Sequence, residues 1–180
     1  MTAQVPDAIL LDNKPYAIAG VEGGKLFTPQ SVGITPGPAN TACWRGYVCQ
    51  YKIINEELLL DELQVAIMKV EGEGSSRKFV QLTGPEINGV QPKSAEGKFL
   101  SSGNLYENLN LQIPFSGTIQ AGDGFIRKLY VHMGVQPAWK YETVLEIKLE
   151  QGKVISIQDI SKQMEAIRSK AAEENHPKHL

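Results

Sequence analysis

The sequence is poorest in reactive equipment. It has two cysteines and three histidines, too few for a disulfide framework, and a metal centre needs three or four convergent ligands. His176 and His179 fall together in ENHPKHL, which reads as part of a flexible tail over about 174–180. No metal is therefore expected.

Long apolar runs are also missing. The N-terminal stretch MTAQVPDAILLD has an apolar run of only four residues and no basic n-region. No later run approaches the ~18 residues of a membrane span. With a net charge of −2 and cations scattered along the chain, no basic stripe is available to neutralise a row of phosphates. Neither membrane nor nucleic acid is expected as a partner, and the chain reads as cytoplasmic.

Catalytic and cofactor motifs fail on spacing. GVEGGKL (20–26) approximates a phosphate loop, but three residues instead of four separate Gly20 from Gly24, and Leu26 stands where a magnesium-binding Ser or Thr is required. GEGSSRK (72–78) lacks the third glycine and following helix of a dinucleotide fingerprint. There is no G-x-S-x-G, and no cofactor is expected.

What is present is turns and alternation. Seventeen glycines and ten prolines in 180 residues imply many short strands, and the length suits a single domain over 1–180. Period two is clear at 141–149, where Tyr141, Thr143, Leu145, Ile147 and Leu149 alternate with charged residues and Val144 is the exception. The strand turns through Gln151-Gly152-Lys153 and returns over 154–157. From 105 to 115, Leu105, Leu109, Leu111, Ile113 and Phe115, with Glu107 the exception, oppose Asn and Gln, which predicts a half-buried strand.

A strand from about 44 to 54 turns at Asn55-Glu56-Glu57 into a second over 58–70. The loop EGEGSSRK and a short strand FVQLT follow, and then a long irregular connection over 84–104. Only the C-terminus reads as helical. Ile157, Ile160, Met164, Ile167 and Ala171 make one stripe, with Ser156 or Asp159 as cap and Asn175 with Pro177 as stop. The stripe either closes an open sheet face or serves a homodimer as a structural, oligomerising subunit.

The chain also echoes itself. GITP (33–36) leads to Trp44, Arg45 and Tyr47, then a strand and a hairpin. GVQP (134–137) leads to Trp139, Lys140 and Tyr141, then another strand and hairpin. Upstream, 15–27 sits ahead of one copy as 114–126 sits ahead of the other. The expected fold is mainly β (α+β): an antiparallel sandwich or partly open barrel from two pseudo-repeated units, about 15–70 and 114–160, with one C-terminal helix.

The densest stretch is TACWRGYVCQYKI (41–53). If it is extended throughout, Cys43 and Cys49 lie about 20 Å apart, beyond the ~7 Å a disulfide allows, unless the chain folds sharply at Gly46. Arg45 then shares a face with core-compatible residues. It is either a clamp on a carboxylate or on backbone carbonyls, or an anion-recognising group in a pocket.

Candidate binding residues are Trp44, Arg45, Tyr47, Tyr130, His132, Trp139, Lys140 and Tyr141. Aromatic platforms beside cations suit anionic, sugar or peptide ligands, so the leading expectation is a non-enzymatic module binding a small molecule or a protein. The alternative is a small hydrolase or isomerase using His132 with Asp123 or a glutamate as general base. In a purely structural reading the same residues are core and strand-start residues of a stable scaffold.

Overall fold

The computed structural model describes residues 2–96, 100 and 103–174, with side chains to 171. Its strands are β1 (Ala8–Leu11), β2 (Lys14–Glu22), β3 (Tyr47–Ile54), β4 (Glu57–Val65), β5 (Met68–Glu71), β6 (Lys78–Gln81), β7 (Lys93–Ser94), β8 (Asn104–Tyr106), β9 (Leu111–Gln112), β10 (Gly117–Phe125), β11 (Tyr141–Glu150) and β12 (Lys153–Asp159). One helix follows, α1 (Ser161–Glu174). The protein is mainly β.

Seven strands run in the order β12-β11-β10-β2-β1-β3-β4, and β12 returns to pair with β4, closing a barrel. β8 and β9 extend β4 on its outer side, and β7 extends β8. Two features correct the expected architecture. The barrel is closed, neither sandwiched nor partly open, and the sheet is mixed, because β1 pairs parallel to β3 while every other pair is antiparallel. Closure rests on Lys153 opposite Glu57. There the two hairpins of the sequence echo exchange backbone bonds, Leu58 N–H to Gly152 O and Val154 N–H to Glu56 O, both 2.8 Å.

Three hairpins use two-residue turns with both residues at positive φ: Asp12-Asn13, Asn55-Glu56 and Gln151-Gly152. That is the turn whose twist matches paired strands. The expected strand over 105–115 is two short ones. Asn108 and Asn110 take left-handed conformations between β8 and β9, and Leu109 N–H bonds the Asp61 carbonyl. Asp61 is itself the extra residue of a bulge in β4, between Leu60 opposite Tyr51 and Glu62 opposite Gln50.

The expected strand 58–70 likewise divides. After Val65 the chain leaves the barrel, Ala66 N–H bonding Gly46 O, and β5 pairs only with β6 in a separate ribbon. Met68, Val70, Phe79 and Gln81 share one face of it, and Phe79 is 73% exposed.

The barrel interior is filled by Ile9, Ile18, Cys49, Tyr51, Leu58, Leu60, Leu63, Ile119, Ile147 and Leu149. A second cluster joins Tyr141 and Val144 to Ala138 and to Ile160 and Met164 at the start of α1. Val144, the exception to alternation, is thus buried on the helix side of β11, and burying Ile160 and Met164 contributes ~1.5–3 kcal/mol each.

The helical stripe is shorter than its spacing predicts. Ile157 lies in β12, exposed, and Ile167 is exposed on α1. Of the two expected caps, Asp159 accepts the Ser161 N–H at 2.8 Å, and Ser156 lies within β12. Arg168 Nη1 donates to the carbonyls of Trp139 and Tyr141 at 2.9 and 2.7 Å, pinning the helix to the start of β11. The expected stop at Asn175 and Pro177, and the tail with His176 and His179, lie outside the described residues. No described helix is long and apolar enough to cross a membrane.

Candidate functional site

The stretch 41–53 is not one strand. β3 begins at Tyr47, and Gly46 at φ 77° turns the chain just before it. The extended-chain separation of Cys43 from Cys49 therefore does not apply, although both are free thiols and both are buried. The turn throws Trp44 outward, 64% exposed, and brings Arg45 back over the strand.

Arg45 closes on Asp7, which lies just before β1. Nη1 donates to Asp7 Oδ2 at 3.0 Å, Nη2 to Oδ1, and Nε to the Tyr47 carbonyl at 2.8 Å. Asp7 Oδ1 also accepts the Cys49 N–H at 2.6 Å. The guanidinium carbon stands 4.7 Å from the centre of the Tyr47 ring. This is the carboxylate clamp of the sequence reading, and it joins the N-terminal segment to β3.

The electrostatics are those of a charge pair drawn into the barrel end. Burial raises the Asp7 carboxyl above its ordinary pKa, with Arg45 and the Cys49 N–H pulling it back. Burial works against the Arg45 charge, yet the Asp7 carboxylate overcomes it and holds that pKa above the ordinary value. Burial, reinforced by Asp7, also drives the Cys49 thiol well up, so it is not a nucleophile at neutral pH.

Beside the clamp lies a cleft of about 400 Å³ between the N-terminal segment, the end of β2 and the loop after it. Its wall includes Asp7, Arg45, Tyr47 and Phe27, with Lys25 at its side and Tyr51 beneath. The Tyr51 hydroxyl is fully buried and has no hydrogen-bond partner of ordinary geometry among the described residues, only the Cys49 thiol beside it.

A second groove, about 430 Å³, shares Val5, Arg45 and Val135 with the first and adds Cys43, Trp44 and Met133. It exists because residues 3–5 are laced between two loops. Ala3 bridges Gly134, Gln4 N–H bonds Gly134 O, and Val5 N–H bonds Ala42 O.

Trp44, Arg45 and Tyr47 thus line adjoining cavities. Tyr130 and His132 sit in an exposed loop, where the Tyr130 hydroxyl and His132 Nδ1 share a 3.0 Å hydrogen bond. Asp123, the carboxylate considered as the orienter of His132, pairs with Lys14 at 2.7 Å instead.

Trp139, Lys140 and Tyr141 lie at the start of β11, under α1. Lys140 is 4% exposed. Its ammonium donates to Gln136 Oε1 at 2.9 Å, stands 5.3 Å from the centre of the Trp139 ring, and has no carboxylate partner among the described residues. Burial lowers its pKa. Lys140→Met is expected to raise stability by about 1 kcal/mol in urea unfolding at pH 7, since a well-packed apolar chain then replaces a poorly compensated buried charge. A loss of stability would mean that the ammonium is well compensated in the folded protein.

Asp7, Lys25, Tyr51, Met133 and Val135 were not among the residues singled out from sequence. The signals were faint: Asp7 precedes the apolar run AILL, and Tyr51 lies on the core-compatible face of β3. Among the described residues no group of three His, Cys, Asp or Glu side chains is placed to hold a metal ion. Compared with family models, curated proteins and solved structures, the chain has no match, and its site is read from its own residues.

Proposed function

We propose that the protein is a non-enzymatic binding module that takes a small ligand in the cleft beside Arg45. The observation that carries this reading is the coincidence of an apolar-walled cleft with polar groups not used up by the fold. Arg45 has five N–H donors and spends three of them on Asp7 and Tyr47, while the Tyr51 hydroxyl beneath has no ordinary partner. The cleft's volume falls within the usual ~300–1,000 Å³ of ligand sites. Two buried free thiols suit a reducing, cytoplasmic setting.

The test is a fragment screen against ¹⁵N-labelled protein. Small molecules are expected to shift the amides of Asp7, Leu26, Phe27, Arg45 and Tyr51 as one group. A screen in which no cleft amide moves at millimolar fragment overturns the reading and leaves the clamp as a purely structural device.

A further inference from the structure

We infer that the ligand is an amphiphilic monoanion, an acid head on an apolar body, held with the head at the Arg45 cleft and the body along the adjoining Trp44 groove. The inference rests on the binding reading above and goes beyond it by naming the chemical class.

The head follows from an account of charges and donors. The cleft's charged side chains are Arg45, Lys25 and Asp7, which leaves one positive charge uncompensated. Asp7 is committed, with Oδ1 accepting from Arg45 and Cys49 and Oδ2 from Arg45. The uncommitted polar side-chain groups of the wall can all donate: the two remaining Arg45 N–H groups, the buried Tyr51 hydroxyl, which can also accept, and the Lys25 ammonium, which is exposed and has no partner among the described residues. A wall of spare donors with one net positive charge complements an acceptor carrying one negative charge.

The body follows from the second cavity. The Gln4 and Thr2 side chains of the Trp44 groove are spent within the fold: Gln4 bonds the Trp44 backbone N–H and the carbonyls of Thr2 and Thr41, and the Thr2 hydroxyl bonds the Thr41 carbonyl. What remains to a ligand is Val5, Trp44, Met133 and Val135, the last three exposed to solvent. An exposed, mainly apolar groove whose one spare donor apart from Arg45 is the Trp44 indole N–H gains most by covering hydrocarbon. Because Val5, Arg45 and Val135 border both cavities, one molecule whose head lies at Arg45 can run its chain over that shared border.

The experiment titrates the ¹⁵N-labelled full chain with decanoate, decanol, decyltrimethylammonium and acetate, each below its aggregation limit. Decanoate is expected to shift the amides of Phe27, Arg45 and Met133–Val135 together. Decanol should bind about tenfold more weakly, the loss of one charge-assisted contact, and acetate and the cation should leave these amides unmoved. Lys25→Ala, at an exposed position with no partner among the described residues, should weaken decanoate severalfold and leave decanol unchanged. Met133→Glu, likewise exposed, should abolish decanoate binding.

Decanol or the cation matching decanoate overturns the monoanion class while leaving the cleft a binding site. So does a fragment library that occupies the cleft when decanoate does not. If neither the four probes nor the library moves a cleft amide, this inference and the binding reading fail together.

Discussion

Replacing Arg45 with alanine is expected to cost about 2 kcal/mol of folding stability at pH 7, less than for a fully buried ion pair because the arginine is partly screened by solvent, but well above a surface pair because a mostly buried carboxylate stays behind. The side chains of Arg45 and Asp7 are 37% and 12% exposed, so the carboxylate is the partner stranded in the protein. Arg45→Lys restores the charge but not the fork that reaches two carboxylate oxygens and the Tyr47 carbonyl. It should recover only part of the loss.

The cost depends on pH with a definite sign. Burial raises the Asp7 pKa above the ordinary 3.8, so between that value and the folded-state value the folded protein binds more protons than the unfolded chain. Asp7's own contribution is then complete below 3.8 and declines as pH rises through the folded-state value. In acid Asp7 is neutral and arginine has little to hold. Toward neutrality the carboxylate ionises, and losing the arginine costs more. Urea unfolding of both proteins at pH 4 and pH 7 should give the larger difference at pH 7. Equal differences would mean that the two side chains are not energetically coupled.

Gly46→Ala is expected to be worse, a loss of about 4 kcal/mol or more, large enough to prevent folding in a protein of ordinary stability. Gly46 sits at φ 77°, and a β-carbon there would lie 1.9 Å from the Gly37 carbonyl oxygen and 2.8 Å from its carbon. Backbone is met, not a flexible side chain. Gly33 is the matched control, with the same φ of 77° and nothing within 4 Å of an added β-carbon. Gly33→Ala should cost only the left-handed preference, ~1–2 kcal/mol. Thermal unfolding followed by circular dichroism separates the two contributions. If the variants melt alike, the close approach of residues 37 and 46 is not what holds that turn.

Local patterns were readable wherever local forces decide. Alternation placed β11 and its hairpin within a residue or two, and a stripe announced α1, because a strand or helix buried on one side must repeat at its own period. Patterns failed where a tertiary partner overrode them. Leu105 to Phe115 alternate apart from Glu107, yet Asn108 and Asn110 break the strand so that Leu109 can bond across to the bulge at Asp61. Ile157 fits the helical spacing but is held in β12 opposite Ile147.

In the candidate site, Arg45 and Tyr47 stood out because a cation among apolar residues is conspicuous. Its partner did not, since nothing local ties Asp7 to a residue 38 positions away. Nor can a single-strand pattern disclose that β1 pairs parallel to β3, or that the sheet meets itself.

That last meeting has a kinetic consequence. The ring closes where Glu57 faces Lys153, two positions nearly a hundred residues apart, whereas β3 with β4 and β11 with β12 join neighbours in the chain. Loop-closure entropy delays contacts between distant segments until nearer ones are made. During synthesis the first hairpin leaves the ribosome long before its circular partner exists. β8 and β9 cover most of the outer edge of β4 as they follow, the β2 edge stays open until β10 arrives, and the final stitch is available only once the second hairpin has formed.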